Sequence, residues 1–272
     1  MIKLNDVEIV FEKFPNGETR MLSTDIKDTV KNDNKISFKY GDDSDLIKLM
    51  FLKEYLNEHF ESKNHLLIYY MPYSRMDRVE GDSAFTLKYV TSFINSLNFD
   101  SVEVIEPHSN VTPALLNKVN SNYINNDLIT KVIEEINFNE DVDSIMFPDN
   151  GASQRYKNMK FKNVLIGNKT RNFQTGEITG LELIGSKHSQ GKKVLICDDL
   201  SSYGGTFVKS SIELKKEGFE EVYLLVAHAE NSIFKGELFN HIDKLFTTDS
   251  ILTEQDNWEN QKFKNQLVIY KL

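Results

Sequence analysis

The chain has 272 residues, 40% of them hydrophobic, including 18 Phe and 11 Tyr, enough for one large domain or two of ordinary size with a substantial core. Its formal net charge of −9 argues against a general nucleic-acid partner, although a local basic loop can still hold phosphate. A lone cysteine, Cys197, rules out an internal disulfide framework and suggests a reducing compartment. No apolar run approaches the roughly 20 residues that span a bilayer, and MIKLNDVEIVFEKF lacks a cationic segment ahead of a long apolar one. A cytoplasmic protein with no membrane partner and no leader is expected.

In chain order, the strand-like runs are VEIVFEKF (7–14), KISFKY (35–40), HLLIYYMP (65–72), SVEVIEPH (101–108), SIMFPD (144–149), NVLIGN (163–168), KKVLICDDL (192–200), EVYLLVAH (221–228), KLFTTDS (244–250) and QLVIYKL (266–272). Many are short and continuously apolar, as strands covered on both faces are. Helical spacing appears between them. Leu46, Leu49, Leu52 and Leu56 mark a helix over 45–60, and Leu87, Val90, Phe93 and Leu97 mark one over 84–97. Shorter candidates cover 127–138 and 205–216. This alternation predicts an α/β architecture with mainly parallel sheets. The pattern occurs twice, with residues 117–126 reading as a polar connector between two similar halves.

Ligands of open α/β sheets bind beyond the carboxyl ends of strands. The residues expected there are Arg75 and Asp77, His108, Asp149, Lys169 and Arg171, and Asp198 and Asp199. Carboxylates, cations and one histidine at strand ends suit a metal-bound polyphosphate. The most informative stretch is VLICDDLSSYGGTFVKSSIEL (194–214): a strand, two acids, a Ser/Gly loop and a helix start. Backbone N–H groups of such a loop cradle phosphate, and Ser201, Ser202 and Thr206 add hydroxyl donors. The two acids repel that phosphate, so ribose hydroxyls or Mg²⁺ are their suitable partners.

This segment resembles the phosphoribosyl-pyrophosphate loop, and the chain as a whole resembles the ribose-phosphate pyrophosphokinases. Five further segments carry the likeness in the same order: KFPNGE (13–18), YSRMDR (73–78), EPHS (106–109), FPDNGASQR (147–155) and NKTR (168–171). The resemblance implies two similar domains of the type I phosphoribosyltransferase kind. The family's C-terminal segment returns to its first domain, so the expected division is 1–123 with 262–272, and 124–261. The implied reaction is transfer of the β,γ-diphosphate of ATP to the anomeric hydroxyl of a ribose 5-phosphate unit, releasing AMP. Phe14, Asn16, Glu18, Arg75, Asp77 and Arg78 match ATP-binding positions. His108 and Asp149 match positions for Mg²⁺, the implied cofactor. Lys169 and Arg171 match catalytic cations. Asp198, Asp199, Ser201, Ser202, Tyr203, Gly204, Gly205 and Thr206 match the ribose-phosphate site. A homo-oligomer, dimer or hexamer, is implied because the Phe14–Glu18 turn completes a neighbour's ATP site.

The sequence also departs from the family. Ser202–Tyr203 replaces an Asp-Thr pair, Met76 replaces a Gln, and Glu106–Pro107 replaces Asp-Leu. The chain is shorter than typical members, which leaves the allosteric site of the long forms in doubt. A tyrosine at the phosphate loop suits a pocket open at that end. Two acceptors therefore stand: ribose 5-phosphate, and ADP-ribose, which a variant known from phage-type NAD-rebuilding pathways converts to its 1-pyrophosphate. Two other readings are a phosphoribosyltransferase and a non-catalytic regulatory subunit. The first is disfavoured by YSRMDR and EPHS, and the second by the presence of all the metal-site and loop-cation residues.

Overall fold

The computed structural model describes residues 1–171, 178–185, 191–252 and 262–272, with the side chains of 169–171, 178 and 179 outside that description. The chain divides into two compact units, Met1–Tyr123 and Ile124–Leu272.

In the first unit the elements run β1 (Ile2–Leu4), β2 (Val7–Glu8), β3 (Phe11–Lys13), β4 (Thr19–Met21), α1 (Thr24–Thr29), β5 (Asp33–Phe38), α2 (Ser44–His59), β6 (Lys63–Ile68), α3 (Thr86–Ser96), β7 (Ser101–Ile105), α4 (Val111–Leu115) and β8 (Val119–Asn122). The sheet order is β2-β1-β5-β6-β7-β8, parallel from β5 to β8, while β3 and β4 form a separate hairpin. Leu49, Leu52 and Leu56 of α2 pack with Ile36, Phe38, Leu66 and Ile68 in one core. Each such side chain removed from water contributes about 1.5–3 kcal/mol before entropy is counted.

The second unit runs α5 (Asn125–Glu135), β9 (Ser144–Phe147), α6 (Asn150–Arg155), β10 (Val164–Arg171), β11 (Ile178–Gly185), β12 (Lys193–Ser201), α7 (Gly205–Lys216), β13 (Glu221–Ala229), a 3₁₀ turn at Asn231–Phe234, α8 (Leu238–His241), β14 (Lys244–Thr248) and β15 (Leu267–Tyr270). Its sheet order is β11-β10-β9-β12-β13-β14-β15, parallel except for β11 at one edge. Alternation along β12 fills both faces. Val194 and Ile196 pack with Phe207 and Leu214 of α7, whereas Leu195 and Cys197 pack with Ile129 and Val132 of α5.

Four sequence expectations change. VEIVFEKF is not one strand: β2 joins the main sheet and β3 the hairpin. Part of the connector 117–126 is strand β8, an edge whose half-exposed, polar sequence hides its pairing with β7. NKTR does not follow its strand but lies within it, since β10 continues to Arg171 by pairing with β11. The C-terminal segment does not return to the first unit, because Leu267–Tyr270 pairs in parallel with β14. Leu267 belongs to the second core, which gives the strand an apolar reason to dock there.

Candidate active site

The second unit gathers a charged cluster just beyond β9 and along the carboxyl-terminal part of β12, where Asp198 and Asp199 lie inside the strand and not after it as expected, since β12 runs on to Ser201. Asp149 lies two residues beyond β9 and caps α6, its Oδ1 accepting the Ala152 N–H at 3.0 Å. One and a half turns later, Arg155 points back to β12. Its Nη1 lies 2.9 Å from Asp199 Oδ1 and 3.3 Å from Asp198 Oδ1. Asn125 at the start of α5 donates to the Asp198 carbonyl at 2.8 Å and to the Tyr156 hydroxyl at 2.7 Å. Three elements thus fix the backbone and side chains of the acidic pair.

The electrostatics are tense. Burial pushes the Asp198 carboxyl well above the ordinary carboxylate range, and Asp199 and Asp149 push it further, against the opposing effect of Arg155. For Arg155, burial opposes the charge, but Asp199, Tyr156 and Asp198 outweigh it and hold the guanidinium above its ordinary value. A carboxyl whose folded pKa is raised favours the fold most below its unfolded pKa. That contribution fades as pH rises through the folded pKa. Asp198→Asn keeps an acceptor for the Asp199 N–H, now 2.9 Å from Asp198 Oδ1, and removes the charge. In EDTA the variant is expected to melt about 2–4 °C above the native chain near pH 8, as a gain on the order of 1 kcal/mol gives in a unit of this size. Thermal scans should show the gap closing towards pH 4; a gap independent of pH would contradict this account.

Beyond Ser201 the chain turns through Ser202, Tyr203 and Gly204 into α7. Gly204 adopts φ +80°, and a Cβ there would meet Leu238 at 2.9 Å, so both conformation and space call for glycine. Around Gly205 the space is open. Thr206 is half-buried in the first turn, and Tyr203 is 60% exposed. Ser202 donates its hydroxyl proton to Glu230 at 2.7 Å.

In the first unit, the adjacent carboxyl ends of β5, β6 and β7 carry the other candidates. Tyr40 donates to Asp43 at 2.6 Å, Tyr73 donates to the same carboxylate, and the two rings meet edge-on at 6.4 Å. These two donors hold Asp43 below the ordinary carboxylate range. Tyr73 has φ +63°, an uncommon conformation for a bulky residue, and it starts the turn that displays Arg75 and Met76. Asp77 is buried and accepts the Ser109 hydroxyl at 2.6 Å, tying YSRMDR to EPHS beside half-buried His108. Arg78 is exposed, with Nε 3.2 Å from Asp77 Oδ1. Phe14, Asn16 and Glu18 form the tip between β3 and β4. There the Phe14 and Gly17 N–H groups donate to Glu18 O and Phe14 O, and Asn16 Oδ1 accepts the Glu18 N–H at 3.2 Å. Phe14 is 48% exposed.

Lys169 and Arg171 occupy the far end of β10, paired with Leu181 and Ile178, and their side chains lie outside the described residues. Arg155, Asn125 and Glu230 were not among the residues given site roles from the sequence. Arg155 had a signal, as the terminal residue of FPDNGASQR. Asn125 and Glu230 reach the site only through tertiary contacts.

Comparisons with known proteins agree on one family. A Pyrococcus furiosus protein named ribose-phosphate pyrophosphokinase is 30% identical over 260 residues, covering 92% of this chain and 88% of the relative. One of the same name from Sulfolobus acidocaldarius is 28% identical over 90% of this chain and 85% of its own length. The crystal structure of phosphoribosylpyrophosphate synthetase from Mycobacterium smegmatis shares the fold, with a TM-score of 0.74 at 15% identity over 98% of this chain and 88% of that one. No family model matches.

Proposed function

The chain belongs to the ribose-phosphate pyrophosphokinase family, and from that membership we propose that it transfers the β,γ-diphosphate of ATP to the anomeric hydroxyl of a ribose 5-phosphate unit and releases AMP. The observation that carries the reading is the junction of β12 and α7. Two carboxylates braced by Arg155 stand before a glycine turn into a helix N-terminus, the arrangement needed to hold ribose hydroxyls on one side and a phosphate on the other.

In this reading Asp198 and Asp199 orient the ribose, and the Ser201–Thr206 loop holds its 5-phosphate. Arg75, Asp77 and Arg78, with the Phe14–Glu18 turn, bind ATP. The exposed Phe14 supports the turn meeting a second copy in a homo-oligomer, a dimer or a hexamer. Lys169 and Arg171 neutralise the moving diphosphate, where charge builds in the transition state.

The donor set fits Mg²⁺, a hard cation bound through one or two carboxylates plus substrate oxygens rather than a closed protein cage. Asp149 helps push the Asp198 carboxyl up, and a divalent cation relieves such crowding of acids. Asp149 is the residue of the second unit that would hold the ion, and His108 is the candidate of the first unit taken by itself. When bound, it supplies charge neutralisation for the ATP phosphoryl oxygens.

The acceptor is the open part of the reading. Tyr203, 60% exposed on the phosphate loop, favours ADP-ribose over ribose 5-phosphate, because an aromatic face there suits a second adenine. Tyr203→Thr is therefore expected to shift the ratio of kcat/KM values about tenfold towards ribose 5-phosphate, the scale of one base–aromatic stack. An unchanged ratio removes the reason for preferring the larger acceptor. The function itself is tested by incubating the chain with ATP, Mg²⁺ and each acceptor in turn and measuring AMP. AMP with ADP-ribose alone supports the extended acceptor, AMP with ribose 5-phosphate alone supports the simple one, and AMP with neither contradicts the proposal. A phosphoribosyltransferase would instead consume phosphoribosyl pyrophosphate and a base without ATP.

A further inference from the structure

Two of the three acids at the start of α2 bond the local backbone. Asp42 Oδ1 accepts the Ser44 N–H at 2.8 Å, and Asp45 Oδ2 accepts the Gly41 N–H at 2.8 Å. Asp43 stands at the N-cap, where a carboxylate ordinarily takes an N–H of the first turn, yet its side chain makes no such bond. Its Oδ1 instead accepts the hydroxyls of Tyr40 and Tyr73. Tyr40 lies two residues beyond β5, and Tyr73 five beyond β6, its parallel neighbour. The carboxylate therefore ties two strand-end loops together. Tyr73 begins the turn that carries Arg75, and the far end of that turn is held as well. The Met76 N–H donates to the Tyr73 carbonyl at 2.9 Å, the Leu87 N–H of α3 donates to the Met76 carbonyl at 3.3 Å, and Thr86 Oγ1 lies 3.4 Å from Met76 Sδ. Arg75 is thus displayed between two pinned points. The φ of +63° at Tyr73 is a conformation that persists only where surrounding contacts impose it.

We propose that Asp43 is a positioning residue for the nucleotide: through Tyr73 it holds the Arg75–Met76 turn in the geometry that binds ATP. The inference rests on the assignment of Arg75 to ATP, and it requires no contact between Asp43 and the nucleotide. The hydroxyls of Tyr40 and Tyr73 keep the Asp43 carboxyl below its ordinary range, so it remains an ionised acceptor for both at any pH near neutrality. Without the carboxylate, the Tyr73 side chain loses this tie to the β5 loop. The turn then relaxes towards commoner backbone states, and only a fraction of the molecules present Arg75 productively. Affinity for ATP falls by that fraction, while the chemistry of the bound nucleotide is unchanged.

The test measures ATP binding by calorimetry with Mg²⁺ and no acceptor, alongside kcat and KM in the full reaction. The chains compared are the native one, Asp43→Ala, Asp43→Asn, Tyr73→Phe, the Asp43→Ala/Tyr73→Phe pair and Arg75→Ala. Asp43→Ala is expected to raise Kd and KM for ATP about fivefold, with kcat within about twofold and the KM of the acceptor unchanged. Asp43→Asn keeps an acceptor oxygen for the phenols and should return Kd to within about twofold of the native value. Tyr73→Phe should match Asp43→Ala, and the pair should bind no more weakly than either alone. Tyr73→Phe leaves the start of α2 intact, so it carries the test if Asp43→Ala fails to fold. Unchanged ATP affinity in a folded variant overturns the inference, as does a lowered melting temperature with Kd unmoved. Tighter binding in Asp43→Ala also overturns it, and would make Asp43 a charge that merely repels the nucleotide. Native ATP binding that Arg75→Ala leaves intact sinks the Arg75 assignment, and the inference with it. ATP bound, weakened by these variants and never cleaved to AMP contradicts the proposed reaction while leaving Asp43 in its role.

Discussion

Arg155→Met is expected to destabilise the second unit by about 3–5 kcal/mol, the usual cost of removing one partner from a buried ion pair. That loss lowers the melting temperature by roughly 10 °C in a unit of this size. The guanidinium side chain is 11% exposed, and the carboxylates it faces, Asp198 and Asp199, are 16% and 4% exposed. Methionine fills much of the same volume, so lost packing contributes little and the uncompensated acids dominate. The charge origin has its own signature. Asp198→Asn in the Arg155→Met background should recover part of the loss, and the loss should shrink as acid neutralises the pair. Thermal unfolding of the four variants in EDTA checks this. A loss below about 1 kcal/mol would show that the acids are better solvated than their burial indicates.

Lys169→Ala is expected to lower kcat by about 10²–10³-fold with little change in ATP affinity. The cation is proposed to act on charge that develops as the diphosphate moves between oxygens, so its loss is felt mainly in the transition state. Its place on the chain supports such a role. Lys169 lies near the outer end of β10, paired with Leu181 on the sheet's antiparallel edge, away from the core strands. Single-turnover rates with ATP titrations by calorimetry separate the two effects. Weakened ATP binding with unchanged turnover would make Lys169 a simple binding cation.

The sequence carried the parallel sheets plainly, because strands such as β12 and β13 are buried on both faces and read as continuous apolar runs. The polar edge strand β8 was hidden for the same reason reversed: it has no buried face along its length to impose a pattern. The C-terminal strand was recognised as a strand, but its partner was not. Which sheet edge a short apolar run joins depends on tertiary space, and here Leu267 finds it beside β14. The site was legible where one residue follows a strand or opens a turn, as with Asp149 and Gly204. It was not legible where a side chain reaches across the fold. Arg155, Asn125 and Glu230 are 44, 73 and 28 residues from the partners they hold, and no local spacing records that.

The two departures Ser202 and Tyr203 also separate in meaning once the contacts are known. Ser202 has a carboxylate partner from the next strand, whereas Tyr203 offers its ring outward.

In the proposed reaction two phosphoryl groups move together to an anomeric oxygen. Phosphorus NMR of a reaction containing ATP, Mg²⁺ and an accepted ribose substrate tests it most directly. AMP and a ribose 1-diphosphate are expected in equal amounts, with the new phosphorus signal coupled to the anomeric proton. ADP together with a ribose 1-phosphate would mean attack at the γ-phosphorus and would rule out diphosphoryl transfer.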